Sequence, residues 1–385
     1  MERMKWKTKR YRRFGRGTSR WWLGFTFGLL LAVLVKEFVH GSESHVDPNK
    51  QSTVEIIESA SLQGKAAVSN NQSDRNTPSN RSSQTVTADS QSASLSDYDR
   101  MWVRVYLAED KRIEKMPIEL YVRGVVAGEM PIDFELEALK AQAIAARTYI
   151  YKRMLSADHS DLPSNEQEAD VTDTVNNQVY VSMSTLLSRW SGKEKEENLK
   201  KLNEAVEQTR GQIITYEGEP IQAAFFSTSN GYTENASDYW SIDLPYLRSV
   251  ASPWDKAISP RYKETVTMKL NAFSAKLGVK KNAIRSMRIV DTTEGKRIRT
   301  VVIGDESFSG REMREKLGLA SSQFNWTIQD DEITITTYGF GHGVGMSQWG
   351  ANGMAHSGQT AKQIVTYYYS GTKVQEAKGL VESLS

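Results

Sequence analysis

One carboxylic acid in this chain stands where its proton would be held more tightly than usual. The run Gly124-Val125-Val126-Ala127-Gly128-Glu129-Met130-Pro131 closes a stretch with helical apolar spacing and ends at a proline. Glu129 therefore falls in a last helical turn, beside unpaired carbonyls and the negative end of the helix macrodipole. A carboxylate is disfavoured there, so its pKa should rise. If Val125, Val126 and Met130 also shield it from water, it stays protonated near neutrality, as general-acid cleavage of a glycosidic bond requires. The competing reading is a solvated glutamate at a helix end. Lys140 and Arg147 stand seven residues apart, hence on one face of the following helix. They are either two cations beside the acid, orienting substrate oxygens, or an ordinary solvated stripe. Arg147 lies among alanines, where an unpaired charge would be costly, and this favours a functional reading for it.

A second candidate region is Gly339-Phe340-Gly341-His342-Gly343-Val344-Gly345-Met346-Ser347-Gln348-Trp349-Gly350-Ala351-Asn352-Gly353. Such glycine density marks strained or closely approached backbone. Bare backbone ringed by His342, Ser347, Gln348 and Trp349 suits an extended polar ligand with flat apolar faces, such as a sugar chain. His342 reads equally as a proton carrier, a donor to substrate or a hydrogen-bonded structural residue. Ser347 is no nucleophile elbow, because the closing glycine of G-x-S-x-G is absent. No G-K-[ST] follows the glycines, which excludes a phosphate loop. Phe225-Phe226-Ser227-Thr228-Ser229-Asn230-Gly231-Tyr232-Thr233-Glu234 is a further polar, turn-prone cluster that could line the same cleft.

These residues need elements to hold them. Met101–Leu107 alternates like a half-buried strand. Pro117 opens the helix that ends at Glu129, and Pro131 stops it. Asp133 is the expected N-cap of a helix from Phe134 to about Met154. Residues 156–170 read as a polar surface loop, and residues 193–209 as a helix. From Gly211 onward the texture is strand-like: Gln212–Tyr216, a turn at Glu217-Gly218, Ile221–Phe226, Glu264–Leu270, Ser286–Val290, Arg297–Ile303, Asn325–Ile328 and Ile333–Tyr338. Short helices are expected at Gly310–Leu317 and Ala361–Tyr369. Helices and strands segregate more than they alternate, which predicts an α+β fold of mostly antiparallel strands packed with the helical segment that carries Glu129.

Charge and hydropathy divide the chain further. Residues 1–20 carry nine basic side chains against Glu2, a net of +8, in a chain whose total is +2. The remainder is thus −6, and it shows no nucleic-acid footprint. Residues 21–39 follow as a nineteen-residue apolar run, about 29 Å as a helix and so about one bilayer core. Trp21 and Trp22 sit at an aromatic-belt position, and the positive-inside bias puts the N-terminus in the cytoplasm. A cleaved signal peptide is the rival. No small-residue site follows the apolar core directly, which favours a retained anchor. Residues 40–98 are Ser, Asn, Gln, Thr and Asp with no apolar period, a disordered tether. The expected organisation is a leader 1–20, a membrane helix 21–39, a linker 40–98, an extracytoplasmic domain 99–374 and a tail 375–385. The chain has no cysteine and five histidines without i, i+4 pairing on a predicted helix. Thiolate chemistry is excluded, and a zinc site is disfavoured.

Glu129-Met130-Pro131 with Phe134, then Glu137-Ala138-Leu139-Lys140-Ala141-Gln142-Ala143 running to Ala146-Arg147-Thr148-Tyr149, resembles the opening signature of the stage II sporulation protein D family. Gln178-Val179-Tyr180, Ser227-Thr228-Ser229, Thr233-Glu234, Trp240, Pro245-Tyr246-Leu247 and Gly341–Ala351 resemble its later blocks in order, over about residues 100–372. The resemblance implies a lytic transglycosylase that cuts the bond between N-acetylmuramic acid and N-acetylglucosamine in peptidoglycan, leaving a 1,6-anhydro end. It makes Glu129 the acid/base, with Lys140 and Arg147 as supporting residues. It puts Ser227, Ser229, His342, Ser347, Gln348 and Trp349 along the sugar chain. It also implies action during sporulation and engulfment beside a cell-wall amidase, on glycan strands freed of stem peptides. The alternative is a non-catalytic glycan-binding enhancer of such an amidase, like other relatives. Some members hold a metal through Cys and His near the Gln-Val-Tyr and Ser-Thr-Ser blocks. Here Asn177, Phe226 and Asn230 stand there, so neither a metal nor another cofactor is expected.

Overall fold

The computed structural model describes residues 98–157, 162, 166 and 168–377. The segments expected to be a leader, a membrane helix at 21–39 and, up to residue 97, a linker lie outside the described residues, as does the chain beyond Ala377. Among the described residues no helix is long and apolar enough to cross a membrane.

Strands β1 (Trp102–Leu107) and β2 (Arg112–Pro117) form an antiparallel hairpin whose turn includes Lys111 at positive φ. Val103, Val105 and Leu107 of β1 point inward, as the alternation requires. The short strand β3 (Val171–Thr172) joins β1 in parallel. Helix α1 (Ile118–Glu129) starts directly after Pro117, and Met130 is extended at its end because Pro131 excludes the α region for the residue before it. Helix α2 (Leu136–Ser156) begins two residues later than the Asp133 cap would place it. Phe134 is buried, and the Phe134 N–H turns back to Pro131 O, so residues 131–135 form a turn. The Glu135 N–H is capped from a distance by Asn352 Oδ1 at 2.8 Å.

Helices α3 (Met183–Arg189) and α4 (Gly192–Glu207) follow, then β4 (Gln212–Tyr216), β5 (Glu219–Pro220) and β6 (Phe225–Phe226). The expected strand Ile221–Phe226 shrinks to its last two residues. Residues 221–224 bend instead, with the Gln222 N–H held by the Tyr246 hydroxyl and the Ala224 N–H by Gln222 O. Helices α5 (Ala236–Trp240) and α6 (Asp255–Ile258) are short.

Residues 263–338 build a second lobe with its own core. Strand β7 (Lys263–Lys269) leads into helix α7 (Leu270–Leu277), followed by β8 (Arg288–Thr292), β9 (Ile298–Ile303), β10 (Glu306–Ser309), helix α8 (Gly310–Leu317), β11 (Phe324–Gln329) and β12 (Glu332–Tyr338). The sheets β10-β9-β8 and β11-β12-β7 are antiparallel throughout. Phe273, Ile284, Val301, Met313 and Ile333 fill the space between them and the helices.

The chain then returns to the first lobe through β13 (Met346–Ser347), α9 (Gln348–His356), α10 (Ala361–Tyr368) and β14 (Lys373–Glu376). β13 pairs in parallel with β6, and β14 completes the antiparallel sheet β14-β4-β5. The large core gathers α1, α2, α10 and β4 around Val122, Leu139, Ile144, Ile213, Ile364 and Tyr368. The architecture is α+β, mostly antiparallel. Two boundaries move outward: Tyr98 is buried and bonds Glu119, and Ala377 is buried with its N–H on Gly211 O. Residues 375–377 thus belong to the fold and not to a tail.

Candidate functional site

Glu129 is the last residue of α1, and two other parts of the chain reach its carboxyl group. The Val179 N–H donates to Oε1 at 2.8 Å, and Gln348 Nε2 donates to Oε2 at 3.3 Å. Loss of solvent pushes this carboxyl up to about 7, against the opposing pull of both donors. The rise has the direction expected from the helix end, but its cause is burial; Val125, Val126 and Met130 of the same turns are themselves buried.

Val179 reaches the acid because α1 has a flat face. Gly124 and Gly128 stand four apart, so both lie on one side of the helix. A Cβ on Gly128 would run into Val179 O, and one on Gly124 into the Tyr180 ring. Bare of side chains, this side lets residues 178–181 lie along it. The Val181 N–H bonds Gly124 O at 3.2 Å, Tyr180 stacks on Tyr121 at 5.7 Å, and the Tyr121 hydroxyl donates to Gln178 Oε1 at 3.0 Å. Residue-type reasoning missed Val179, since its side chain does none of this. The legible signal was the i, i+4 glycine pair.

Gln348 is set by the start of α9, a helix within what the sequence suggested was loop. The Ser347 hydroxyl caps it by accepting from the Gly350 N–H at 3.2 Å. That hydroxyl donates in turn to Asp255 Oδ1. The same carboxylate oxygen accepts from the Ser229 N–H at 2.7 Å, and Asp255 Oδ2 accepts from Ser252 Oγ at 2.7 Å. Asp255, Ser229 and Ser347 are all 0% exposed. The two serines expected along a sugar chain therefore shape the loop from inside. No feature of spacing distinguished Asp255 in the sequence. Ser227 is half-buried and takes the Trp349 N–H on its carbonyl at 3.1 Å. Trp349, also half-buried, meets Phe134 edge to face at 4.6 Å, so it frames the turn just after the acid.

Arg147 departs from the expectation that it flanks Glu129. It is 0% exposed and makes a two-pronged pair with Glu119, Nε to Oε1 at 3.0 Å and Nη2 to Oε2 at 2.7 Å. The Tyr98 hydroxyl and the Gly211 N–H complete the shell of Glu119. Glu119 begins α1 and Glu129 ends it, ten residues and about 15 Å apart along the axis. The alanine-rich surroundings signalled a satisfied buried ion pair. Because α2 runs back along α1 from this pairing, the acid's level on α2 is near its first turns. Lys140 stands there, with Nζ on Glu137 Oε1 at 2.6 Å and 17% of its side chain exposed. Of the two cations, Lys140 shares the acid's end of the helix pair.

His342 sits among Phe226, Tyr239 and Trp240 at ring distances of 5.7, 5.8 and 5.4 Å. Its Nδ1 accepts the Val344 N–H at 3.0 Å. Burial and the nearby Arg314 and Arg297 push its pKa down to about 3, so the ring is neutral at physiological pH and does not serve as a general acid there. Arg297 lies beside the loop, paired at 3.8 Å with buried Glu234. Gly343 has φ +91°, and a Cβ there would meet the Arg297 guanidinium. Glycine is thus required both by conformation and by room. Among the described residues no group of three or more His, Asp or Glu side chains converges as a metal site would.

Residues 106–216, which hold Glu129, Lys140, Arg147 and Val179, match the family model for stage II sporulation protein. Stage II sporulation protein D of Bacillus subtilis (strain 168) is 50% identical over 276 residues, covering 71% of this chain and 79% of that protein. The Bacillus amyloliquefaciens protein of the same name is 49% identical over 276 residues. The amidase enhancer of Bacillus subtilis is 29% identical over 305 residues, 65% of this chain and 40% of that one. The chain belongs to the stage II sporulation protein D family.

Proposed function

We propose that this chain is a membrane-anchored lytic transglycosylase that cuts peptidoglycan glycan strands outside the cytoplasm during sporulation, with Glu129 as its one catalytic carboxyl group. Ordinary glycoside hydrolysis uses two carboxyl groups, one to protonate the leaving oxygen and one to act as nucleophile or activate water. A single residue suffices when the muramyl 6-hydroxyl is the nucleophile. Neutral Glu129 gives its proton to the glycosidic oxygen as the C1–O4 bond breaks, releasing the N-acetylglucosamine 4-hydroxyl. The carboxylate, held by the Val179 N–H and Gln348, then takes the proton of the 6-hydroxyl as O6 bonds C1. The 1,6-anhydro ring forms, no water is consumed and the acid is restored. Such a double role works best with a pKa near the operating pH, and the pKa of about 7 at Glu129 is the observation that carries this reading.

Lys140 at the same end, Gln348 and the Trp349 edge are the groups we assign to the glycan. Strands stripped of stem peptides by a cell-wall amidase are the substrate, and the apolar run 21–39 is the anchor. The test is digestion of denuded glycan strands with the full chain, followed by mass spectrometry. Anhydro-muramyl ends, one water lighter than hydrolytic ends, are expected. Glu129→Gln should cost about two to four decades of rate, the usual worth of general acid catalysis. Cleavage at wild-type rate by that variant overturns the assignment. The similarity to an amidase enhancer favours one second reading, a glycan-binding stimulator of an amidase. That reading expects no anhydro product and an amidase rate that rises equally with wild type and Glu129→Gln.

A further inference from the structure

The turn between β8 and β9 reaches out of the second lobe and clasps the first. The Thr293 N–H bonds Arg297 O at 2.8 Å and the Arg297 N–H bonds Thr293 Oγ1 at 3.1 Å, which closes the turn. Asn230 Nδ2 donates to Gly295 O at 2.9 Å, and a Cβ on Gly295 would collide with Thr233 O. The turn thereby delivers the Arg297 side chain beneath the glycine-rich loop.

What it delivers is half of a poorly bonded ion pair. Arg297 and Glu234 are each 1% exposed. Glu234 Oε2 accepts from Thr293 Oγ1 at 2.6 Å, and Arg297 Nη1 stands 3.8 Å from Oε2 and 3.4 Å from Tyr232 O. Glu234 Oε1, Arg297 Nε and Arg297 Nη2 are buried with no hydrogen-bond partner among the described residues. A buried pair repays its desolvation only when its remaining donors and acceptors are satisfied, and here three are not. Arg147 with Glu119 shows the two-pronged alternative in the same chain. Stability is thus a poor reason for the pair at Arg297, and its contacts supply a better one. The edge that carries Nε and Nη2 lies against Gly343, and Cζ is 5.9 Å from the centre of the Phe226 ring. Phe226 pairs with Ser347, and the Glu234 N–H holds Gly343 O at 2.7 Å. The two charged residues therefore grip both the middle of the loop and the strand that ends directly before Gln348.

We propose that Arg297 is a positioning residue for the reaction: it holds the glycine-rich loop where Gln348 meets the Glu129 carboxyl, and Glu234 is the counter-charge that keeps it there. The proposal rests on Glu129 as the catalytic acid. Arg297 acts on that acid through Gly343, Phe226 and Gln348, so the second lobe serves the chemistry of the first without reaching the substrate at this point.

The experiment is a carboxyl-carbon NMR titration of Glu129 in the full chain, its resonance assigned by its loss in Glu129→Gln. Gln348 lowers the Glu129 pKa by donating to the carboxylate. Loss of one hydrogen bond to a charged group is worth about one pH unit, so Gln348→Leu should raise the titration midpoint by about that much. Arg297→Lys keeps a cation for Glu234 and loses the flat guanidinium under Gly343. It should raise the midpoint in the same direction, and Arg297→Lys combined with Gln348→Leu should titrate like Gln348→Leu alone. A merely structural pair leaves this titration where it was, whatever it does to Tm. Glu234→Gln with Arg297→Gln leaves no charge buried alone and carries the same expectation if Arg297→Lys does not fold. A wild-type midpoint in the folded Arg297 variant, or shifts that add in the combined variant, overturns the proposal. The titration needs no glycan, so it can fail while cleavage through Glu129 stands, and hold where cleavage is absent.

Discussion

Removing the ionisable group at Glu129 should stabilise the protein, by an amount that grows from about pH 4.5 to about pH 7. A carboxyl group moved from 4.5 to about 7 binds its proton more tightly folded than unfolded. Between those values the unfolded chain has lost a proton that the native chain keeps. Stability therefore falls as pH rises through this window and then stays level; below about 4.5 both states are protonated and the group contributes nothing. At about 1.36 kcal/mol per pH unit the full cost is about 3 kcal/mol, a ceiling because the residue keeps some solvent exposure. In Glu129→Gln the amide oxygen can still accept from the Val179 N–H, and Gln348 need only rotate its own amide to offer oxygen instead of nitrogen. The variant should thus match wild type near pH 4 and exceed it by about 2–3 kcal/mol near pH 8, while its glycan cleavage is lost. Urea unfolding at the two pH values, followed by tryptophan fluorescence, measures the difference. A variant no more stable than wild type at pH 8, or a gap of equal size at both pH values, would refute the reasoning, since neither outcome can come from a buried, raised carboxyl group.

Arg147→Met should destabilise by about 3–5 kcal/mol because Glu119 is left buried without its partner, and Glu119→Leu in the same chain should restore most of this, as a chemical unfolding series would record. If Arg147 acts on substrate instead, the double variant regains stability and stays inactive. Gly128→Ala should push the Val179 N–H away from the acid and lower glycan cleavage about tenfold or more, the cost of one hydrogen bond to a charged group; unchanged turnover would argue against the flat helix face as the device that sets the donor. His342 is neutral when folded, with its pKa lowered from 6.5 to about 3, so its contribution to stability is complete above about 6.5 and lost as pH falls towards 3. His342→Gln should therefore narrow the acid-induced loss of Tm over that range and leave the pH profile of cleavage near neutrality unmoved, as thermal melts and rate profiles would show.

How legible was this site in the sequence? The α+β class followed from segregated periodicities, and α1 with its acid from two prolines and a run of valines. The side chains to which the proposed reading gives chemistry of their own could be picked out by type: Glu129, Lys140, Gln348. What sequence could not supply was direction. Arg147 and Lys140 share one helix face, yet a ten-residue helix length separates the ends they serve, and only the pairing with Glu119 fixes which is which. Ser229 and Ser347 have the residue type of sugar contacts and the burial of core residues, because Asp255, far away in sequence, draws both inward. Groups that act through backbone were the least visible. Val179 contributes an N–H that any residue but proline could offer, and its placement is written in the glycines opposite it.

The glycine-rich loop illustrates the same division of labour at larger scale. Gly343 admits the Arg297 guanidinium, the Glu234 N–H holds Gly343 O at 2.7 Å, and the Ser347 cap turns the chain into α9. Four residues into that helix, Asn352 returns to cap α2 through Glu135, directly after the acid's proline turn. The loop is thereby tied to both sides of Glu129: at the carboxyl through Gln348, and at the following turn through Trp349 and Asn352. Its polar side chains need no proton chemistry of their own to matter. A single carboxyl that serves first as acid and then as base must keep its position through both proton transfers, and a frame fixed at two points beside it meets that demand better than a second titrating residue would.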